Sequence, residues 1–324
     1  MRMKPLLGAL LAAVIAFHAP VGHAADPYPS RPVRLVVGFA PGGGADGIAR
    51  VLADSMTRSL GQAVVVENRP GANTTLASAY VAGAAPDGYT LLLVLDAAFG
   101  ADKALYGTVK YDGANFTPIS KVASSFFVLA ASRQSGIRSV EDLLRAGRGS
   151  GKPLFLASPG GANLRIFAAD VQRVAGVGLE EVLYKGGAPA AMAVVSGEAP
   201  LTLMGPAALL PLAKEDKLTA VAITKDRRSG LTGELPTLAE SGLPGVALSY
   251  WYGLVGPAGL PADVSRKLFD AAASALKDPA VQQRMQALGF EAEPSASPED
   301  FKATSLREGE ALRLRVEQAG IKPQ

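Results

Sequence analysis

The 324-residue chain has no cysteine and only two histidines, His18 and His23. The first absence removes disulfides, thiolate metal sites and cysteine nucleophiles together. After residue 24, no stretch reaches the roughly 18 uninterrupted apolar residues of a membrane-spanning helix. The uncharged run over 199–213 is broken by Pro200, Pro206 and Pro211. A surplus of one charge sign is missing too. The 32 Lys and Arg face 29 Asp and Glu, which leaves no electrostatic case for nucleic acid or a membrane surface. Apolar residues make up 48%, enough to bury the core of one large domain or two medium ones.

What is present begins with a targeting pattern. Arg2 and Lys4 precede an uncharged, mostly apolar run over 5–17, and Gly22 and Ala24 are small residues just before a cut after Ala24. This is the order of a secretory signal peptide over 1–24. A membrane anchor or a buried N-terminal helix is the alternative. With no cysteine at the cut, a lipid anchor on that residue is excluded. Cleavage removes both histidines with Arg2 and Lys4, leaving 30 basic against 29 acidic residues and a net charge of +1. The mature chain is therefore expected to be soluble in the periplasm, with neither His nor Cys. A Ser-His-Asp triad is then impossible. No G-x-S-x-G elbow, H-E-x-x-H pair or D-x-[DN]-x-[DN]-G loop occurs either. No enzyme, metal or cofactor is expected.

Strand-like apolar runs alternate with helical spacing. Residues 33–39 predict a strand. Residues 48–60 predict a helix through Ile48, Val51, Leu52, Met56 and Leu60, stopped by Gly61. Strands follow over 64–66 and 89–95, separated by a helix over 75–84 and a turn at Pro86-Asp87-Gly88. Further strands are read over 126–131, 154–157, 181–184, 201–204, 219–224 and 248–255. Ser139 caps a helix with Ser-x-x-Asp spacing, another helix runs to about Val174, and two more start near Pro261 and at Ser297-Pro298-Glu299-Asp300. The alternation predicts an α/β fold with right-handed crossovers and mostly parallel sheets flanked by helices. The strands are too many for one compact half, so two lobes are expected: 25–128 with 249–324, and 129–248.

Each lobe carries a glycine-rich loop between a strand and a helix. The first is Ala40-Pro41-Gly42-Gly43-Gly44-Ala45-Asp46-Gly47; the second is Ser158-Pro159-Gly160-Gly161-Ala162-Asn163. Glycine lets the backbone approach a ligand, and free N–H groups at a helix N-terminus favour an anion. Two such loops could clamp one acidic ligand, or be two tight turns with no ligand. Gly42, Gly44 and Gly47 also satisfy G-x-G-x-x-G, with Glu67 ending the next strand, as in a dinucleotide site. Pro41 and the third consecutive glycine widen that turn, and an exported chain meets no free nicotinamide cofactor. Glu141, Asp142, Arg227 and Arg228 read as a solvated face.

Several motifs together resemble the Bug-type, or TctC-like, solute-binding proteins of tripartite tricarboxylate transporters. They are Tyr28-Pro29-Ser30-Arg31-Pro32-Val33-Arg34-Leu35-Val36-Val37 with Phe39-Ala40-Pro41-Gly42-Gly43, Val65-Val66-Glu67-Asn68-Arg69-Pro70-Gly71-Ala72, and Ala85-Pro86-Asp87-Gly88-Tyr89-Thr90-Leu91-Leu92. Tyr184-Lys185-Gly186-Gly187-Ala188-Pro189-Ala190, Leu235-Pro236-Thr237-Leu238-Ala239-Glu240 and Trp251-Tyr252-Gly253-Leu254-Val255 continue the likeness over essentially the whole mature chain. The resemblance implies a two-lobed, type II-like periplasmic binding fold whose cleft holds a small carboxylate, delivered by a monomer to membrane permease subunits. A binding module feeding a sensor is the alternative.

Carried over residue by residue, the resemblance puts Phe39, Ala40, Gly42, Gly43 and Gly44 in the first loop, with Asp46 capping or orienting it. It puts Ser158, Gly160, Gly161 and Asn163 in the second. Asp96, Ala98 and Phe99 are expected on the cleft floor, and Lys185, Gly186, Met204 and Gly205 on the second lobe. The second loop departs from the pattern: one residue is missing, and Arg165 stands where relatives carry histidine. Arg165 is a candidate for a second acidic group of the ligand, or for an ion pair with Asp170 or another acid. Asp96 would bind a ligand amine or simply accept backbone N–H bonds. Phe39, Phe99 and Tyr252 would suit an aromatic ring. Hinge strands are expected near 126–131 and 248–251.

Overall fold

The computed structural model describes residues 27–160 and 162–323. The expected signal peptide and Gly161 lie outside the described residues. The chain opens with β1 (Val33–Val37), α1 (Gly44–Leu60), β2 (Val64–Asn68), α2 (Thr75–Ala82) and β3 (Thr90–Leu95). β1 is apolar at four of its five positions and nearly all buried. α1 buries Ile48, Val51, Leu52 and Met56 on one face and ends at Gly61, which takes the left-handed conformation at φ 68° that favours glycine. A 3-10 turn over Asp96–Phe99 and α3 (Ala101–Leu105) lead to β4 (Phe116–Phe126).

The second half holds β5 (Val128–Ala131), α4 (Val140–Ser150), β6 (Leu154–Ser158), α5 (Ala162–Ala175), β7 (Leu179–Leu183), α6 (Gly187–Ser196), β8 (Leu201–Met204), α7 (Pro206–Lys214) and β9 (Thr219–Ile223). The chain then adds β10 (Ser249–Pro257), α8 (Ala262–Lys277), α9 (Pro279–Ala287), β11 (Glu291–Ala292) and α10 (Pro298–Gln318). The expected caps form. Ser139 and Asp142 make a reciprocal capping box, and the Ser297 side chain accepts from the Asp300 N–H.

One sheet has the order β11-β4-β10-β3-β1-β2 and the other β7-β6-β8-β5-β9. The two-lobed α/β expectation therefore stands, but both sheets are mixed rather than mostly parallel. β10 runs antiparallel to β3 and β4, and β5 runs antiparallel to β8 and β9. The run read as a single strand over 126–131 is two: β4 ends at Phe126 in one sheet and β5 starts at Val128 in the other. β4 itself was hidden by its serines and Pro118. The latter sits beside a register shift against β10, where a strand tolerates a missing N–H.

The chain thus crosses between sheets at Phe127 and returns at Leu248. Thr224, fully buried, joins the two crossings. Its N–H donates to Phe127 O at 2.9 Å, its Oγ1 accepts from Phe127 N at 2.9 Å, and its carbonyl oxygen accepts from Leu248 N at 2.7 Å. α10 spans both halves. Phe301 packs against Trp251 and Phe99 in the first, while Leu312 and Val316 join the apolar core of the second. Arg315 fixes that end by pairing with Asp170 of α5 and donating to Ala247 O at 2.9 Å.

Candidate functional site

Both glycine loops lie where the strand order reverses, between β1 and β3 and between β6 and β8. In open α/β sheets this is where ligands collect, outside the carboxyl ends of the strands. A cavity of about 350 Å³ lies between the lobes there. Phe39, Asn73 and Asp96 line it from the first lobe, Gly160, Asn163, Met204 and Gly205 from the second, and Phe127 from the crossing.

The first loop is held from below. Asp46 is buried, and its Oδ2 accepts from Gly42 N at 3.0 Å and Arg50 Nε at 2.9 Å. Its Oδ1 accepts from Asn68 Nδ2 at 2.9 Å, and the same amide donates to Phe39 O at 3.0 Å. The Arg50 hydrogen bond leads in pulling the Asp46 carboxyl down to about 2, and the amides of Gly42 and Asn68 add to it against the opposing effect of burial. Gly42 adopts φ 87°, and a Cβ on Gly44 would meet the Phe290 ring at 2.9 Å, so glycine is required at both.

The second loop repeats the device with other residues. The fully buried Ser158 donates from Oγ to Glu181 Oε1 at 2.6 Å and accepts from Gly160 N at 2.8 Å. Arg165 Nε lies 3.4 Å from Glu181 Oε2. Arg165 thus pairs with an acid, and it lines an adjoining cavity of about 210 Å³ with Lys322.

Several expected contacts are relocated by these bonds. The N–H groups of Gly42 and Gly160 are taken by Asp46 and Ser158, so these residues shape the loops. Ala40, Gly42, Gly43 and Gly44 do not line the cavity, and neither do Lys185, which is exposed, and Gly186. Ala98 and Phe99 are buried in the apolar core, with the Phe99 ring 5.6 Å from that of Trp251. The 3-10 turn is the reason: it directs Asp96 and Ala97 to the cavity and the next two side chains beneath it. The aromatic candidate Tyr252 is buried and supports the Phe39 ring edge-on at 6.0 Å. Asn73 was not anticipated. It lies in a run of left-handed non-glycine residues, Ala72, Asn73 and Thr74, at φ 43°, 51° and 76°, and such strain gathers at binding sites.

The electrostatics of the cavity are lopsided. Asp96 is its only charged lining residue among the described residues. It is 8% exposed, with Trp251 N at 3.4 Å from Oδ2 and the Ala97 amide as its hydrogen-bond donors. Burial pushes its carboxyl up to about 7 against the effect of those two amides, and the nearby acids Asp102 and Glu308 push it further. Opposite it, α5 begins with Ala162 and Asn163 at the cavity, and α7 begins after Gly205. A helix N-terminus carries a partial positive charge and free N–H donors, though at α7 Pro206 has no N–H and Ala208 N donates to Gly205 O at 3.1 Å, so α7 contributes its dipole more than donors. Among the described residues no group of three or more His, Cys, Asp and Glu could hold a metal ion.

Residues 48–304 match the family described as the tripartite tricarboxylate transporter family receptor, TctC. The chain is 31% identical over 287 residues to the protein BugT of Bordetella pertussis, covering 86% of this chain and 88% of that one. It is similar to the solved periplasmic binding protein BugD at 32% identity and a TM-score of 0.76, over 92% of this chain and 100% of that one. It is also similar to R. palustris Rpa4515, solved with adipate, at 29% identity and a TM-score of 0.80, over 92% of this chain and 100% of that one. Among the described residues no helix is long and apolar enough to cross a membrane. The dinucleotide alternative falls away, because the family is one of solute-binding receptors rather than enzymes and the Gly42 N–H faces Asp46. The chain belongs to the TctC family of tripartite tricarboxylate transporter receptors.

Proposed function

We propose that this chain captures a small carboxylate in the interlobe cavity and hands it to the membrane subunits of a tripartite tricarboxylate transporter. One observation carries the reading: the N-terminal turns of α5 and α7 meet Phe39, from the loop before α1, at a cavity that no cationic side chain lines among the described residues. An anion there is held by backbone dipoles. Asn163 and Gly205 are the second-lobe contacts, and Phe39 and Asn73 the first-lobe ones. The adipate seen with the R. palustris neighbour supports a carboxylate. The protein acts as a monomer in the periplasm after loss of residues 1–24.

A thermal-shift screen of the mature chain against a carboxylate library tests this, because a ligand that binds only the folded state raises the melting temperature. At least one carboxylate should raise it in proportion to the logarithm of its concentration. A library without a hit, with a stably folded protein, refutes the reading.

A further inference from the structure

The cavity that receives the carboxylate has one charge of its own, and the sign is wrong for a simple acid. Asp96 lines it, is more than nine-tenths buried, and takes part in no ion pair among the described residues. Its donors are two backbone amides, that of Trp251 at a long 3.4 Å and that of Ala97. A carboxylate has about four acceptor positions, so Asp96 keeps capacity on its cavity side. Asp102 on α3 and Glu308 on α10, both acids, act on it, and Tyr250 and Tyr252 lie alongside on β10. Asp96 also lines a second cavity of about 510 Å³ with Lys121, Lys225, Arg227 and Arg315, of which Lys121, Lys225 and Arg315 are paired with Glu293, Glu291 and Asp170.

We propose that Asp96 receives a positively charged amine of the ligand, so that the captured solute is an amino-carboxylate rather than a plain acid. The assignment rests on the cavity being the capture site. The ligand's carboxylate meets the helix N-termini of the second lobe, and its ammonium meets Asp96 on the floor of the first. The two ends of a zwitterion thereby match the two signs the cavity presents. An ammonium at Asp96 donates up to three hydrogen bonds and supplies the missing counter-charge, and the Phe39 and Phe127 rings that line the same space accept a cation at their faces. A plain acid would place a second negative charge beside an ionised Asp96 in the same partly enclosed space, which costs more there than in open water.

The test uses the mature chain and matched probes. Each common L-amino acid and short ω-amino acid is paired with the same acid lacking the amine, and affinities are measured by calorimetry for the native protein and for Asp96→Asn. The amine-bearing member of the best pair should bind about tenfold to a hundredfold more tightly. Asp96→Asn should erase that preference while binding the deaminated acid at least as well as the native protein does, which also shows that the cavity is intact. Equal binding of both members to the native protein overturns the proposal and leaves carboxylate capture standing. So does an undiminished preference in Asp96→Asn. That first outcome, with affinity falling as pH rises through neutrality, would make Asp96 a protonated donor to a plain acid. If no member of either series binds, the capture reading fails and this assignment with it.

Discussion

Replacing Asp96 by asparagine should make the ligand-free protein more stable above neutral pH. In the folded chain the Asp96 carboxyl rises from 3.8 to about 7, first because of burial. A carboxyl raised in this way holds its proton more tightly when folded, so its stabilising contribution is complete below its unfolded value and lost as pH rises through its folded value. Between about pH 5 and pH 8 the loss from Asp96 is on the order of 3 kcal/mol. Asp102 acts in the same direction: it is buried, it rises to about 6, and its Oδ1 has no hydrogen-bond partner among the described residues while Oδ2 accepts from Tyr111 Oη at 2.6 Å. Its share over the same window is about 1.5 kcal/mol. Asp46, lowered to about 2, stays ionised throughout. Residues 27–323 contain no His or Cys, so the window is unusually free of other side-chain titrations. The tag-free protein, stripped of bound ligand, should lose about 9 °C of melting temperature from pH 5 to pH 8, at roughly 2 °C per kcal/mol. Asp96→Asn should lose only about a third as much and be the more stable of the two at pH 8. An unchanged slope, or a variant less stable than the parent at pH 8, would refute the claim that Asp96 is an uncompensated buried charge.

Other substitutions probe the supports of the site. Asp46→Ala removes the acceptor for Gly42, Arg50 and Asn68; urea unfolding should show a loss of about 2 kcal/mol, and carboxylate affinity should fall with it. Ser158→Ala leaves the Gly160 N–H and Glu181 Oε1 without their partner, and should cost about 1–3 kcal/mol in the same assay. Thr224→Val keeps the shape but deletes the hydroxyl shared by the two crossings; amide hydrogen exchange at Phe127 should speed up more than exchange in the centre of either sheet. Gly309→Ala would drive a Cβ to within 2.6 Å of Phe99, and the melting temperature should fall by the equivalent of about 1–3 kcal/mol, because the backbone there cannot yield.

The parts of this fold that depend on nearby residues are readable in the chain. Gly61, Ser139 and Ser297 mark helix ends because a cap is a contact over one turn. The two loops stand out because glycine follows an apolar strand in each. What the loops do with their N–H groups is not local. Gly42 turns to Asp46 only because Asn68, from the next strand, fixes the other carboxylate oxygen. Gly160 turns to Ser158 because Glu181, on the neighbouring strand, takes the hydroxyl proton. β4 has no apolar alternation strong enough to announce it; it is a strand because β10, far along the chain, pairs with nearly its whole length. Ala98 and Phe99 look like cleft residues by position, yet the 3-10 turn after β3 rotates them under the floor. Asn73 gave no signal, since its left-handed backbone is imposed by its neighbours.

The floor of the cavity and the crossing between lobes are one piece of structure. Asp96 takes the amide of Trp251, and Trp251 stands three residues beyond the return crossing at Leu248, which Thr224 ties to the outward crossing at Phe127. Phe127 itself lines the cavity, and its ring lies 5.2 Å from that of Tyr250. A group that bonds Asp96 therefore pulls on the same strand that sets how the lobes meet, while the other end of the ligand pulls on α5. α10 opposes any separation at that point, because Arg315 holds both Asp170 of α5 and the carbonyl of Ala247, one residue before the return crossing. Capture by this geometry does not need a cation in either lobe. On the capture and amine assignments proposed above, one end of the solute would complete the helix N-termini and the other would reach a floor joined to the crossing, so that only a ligand spanning both would gain from bringing the lobes together.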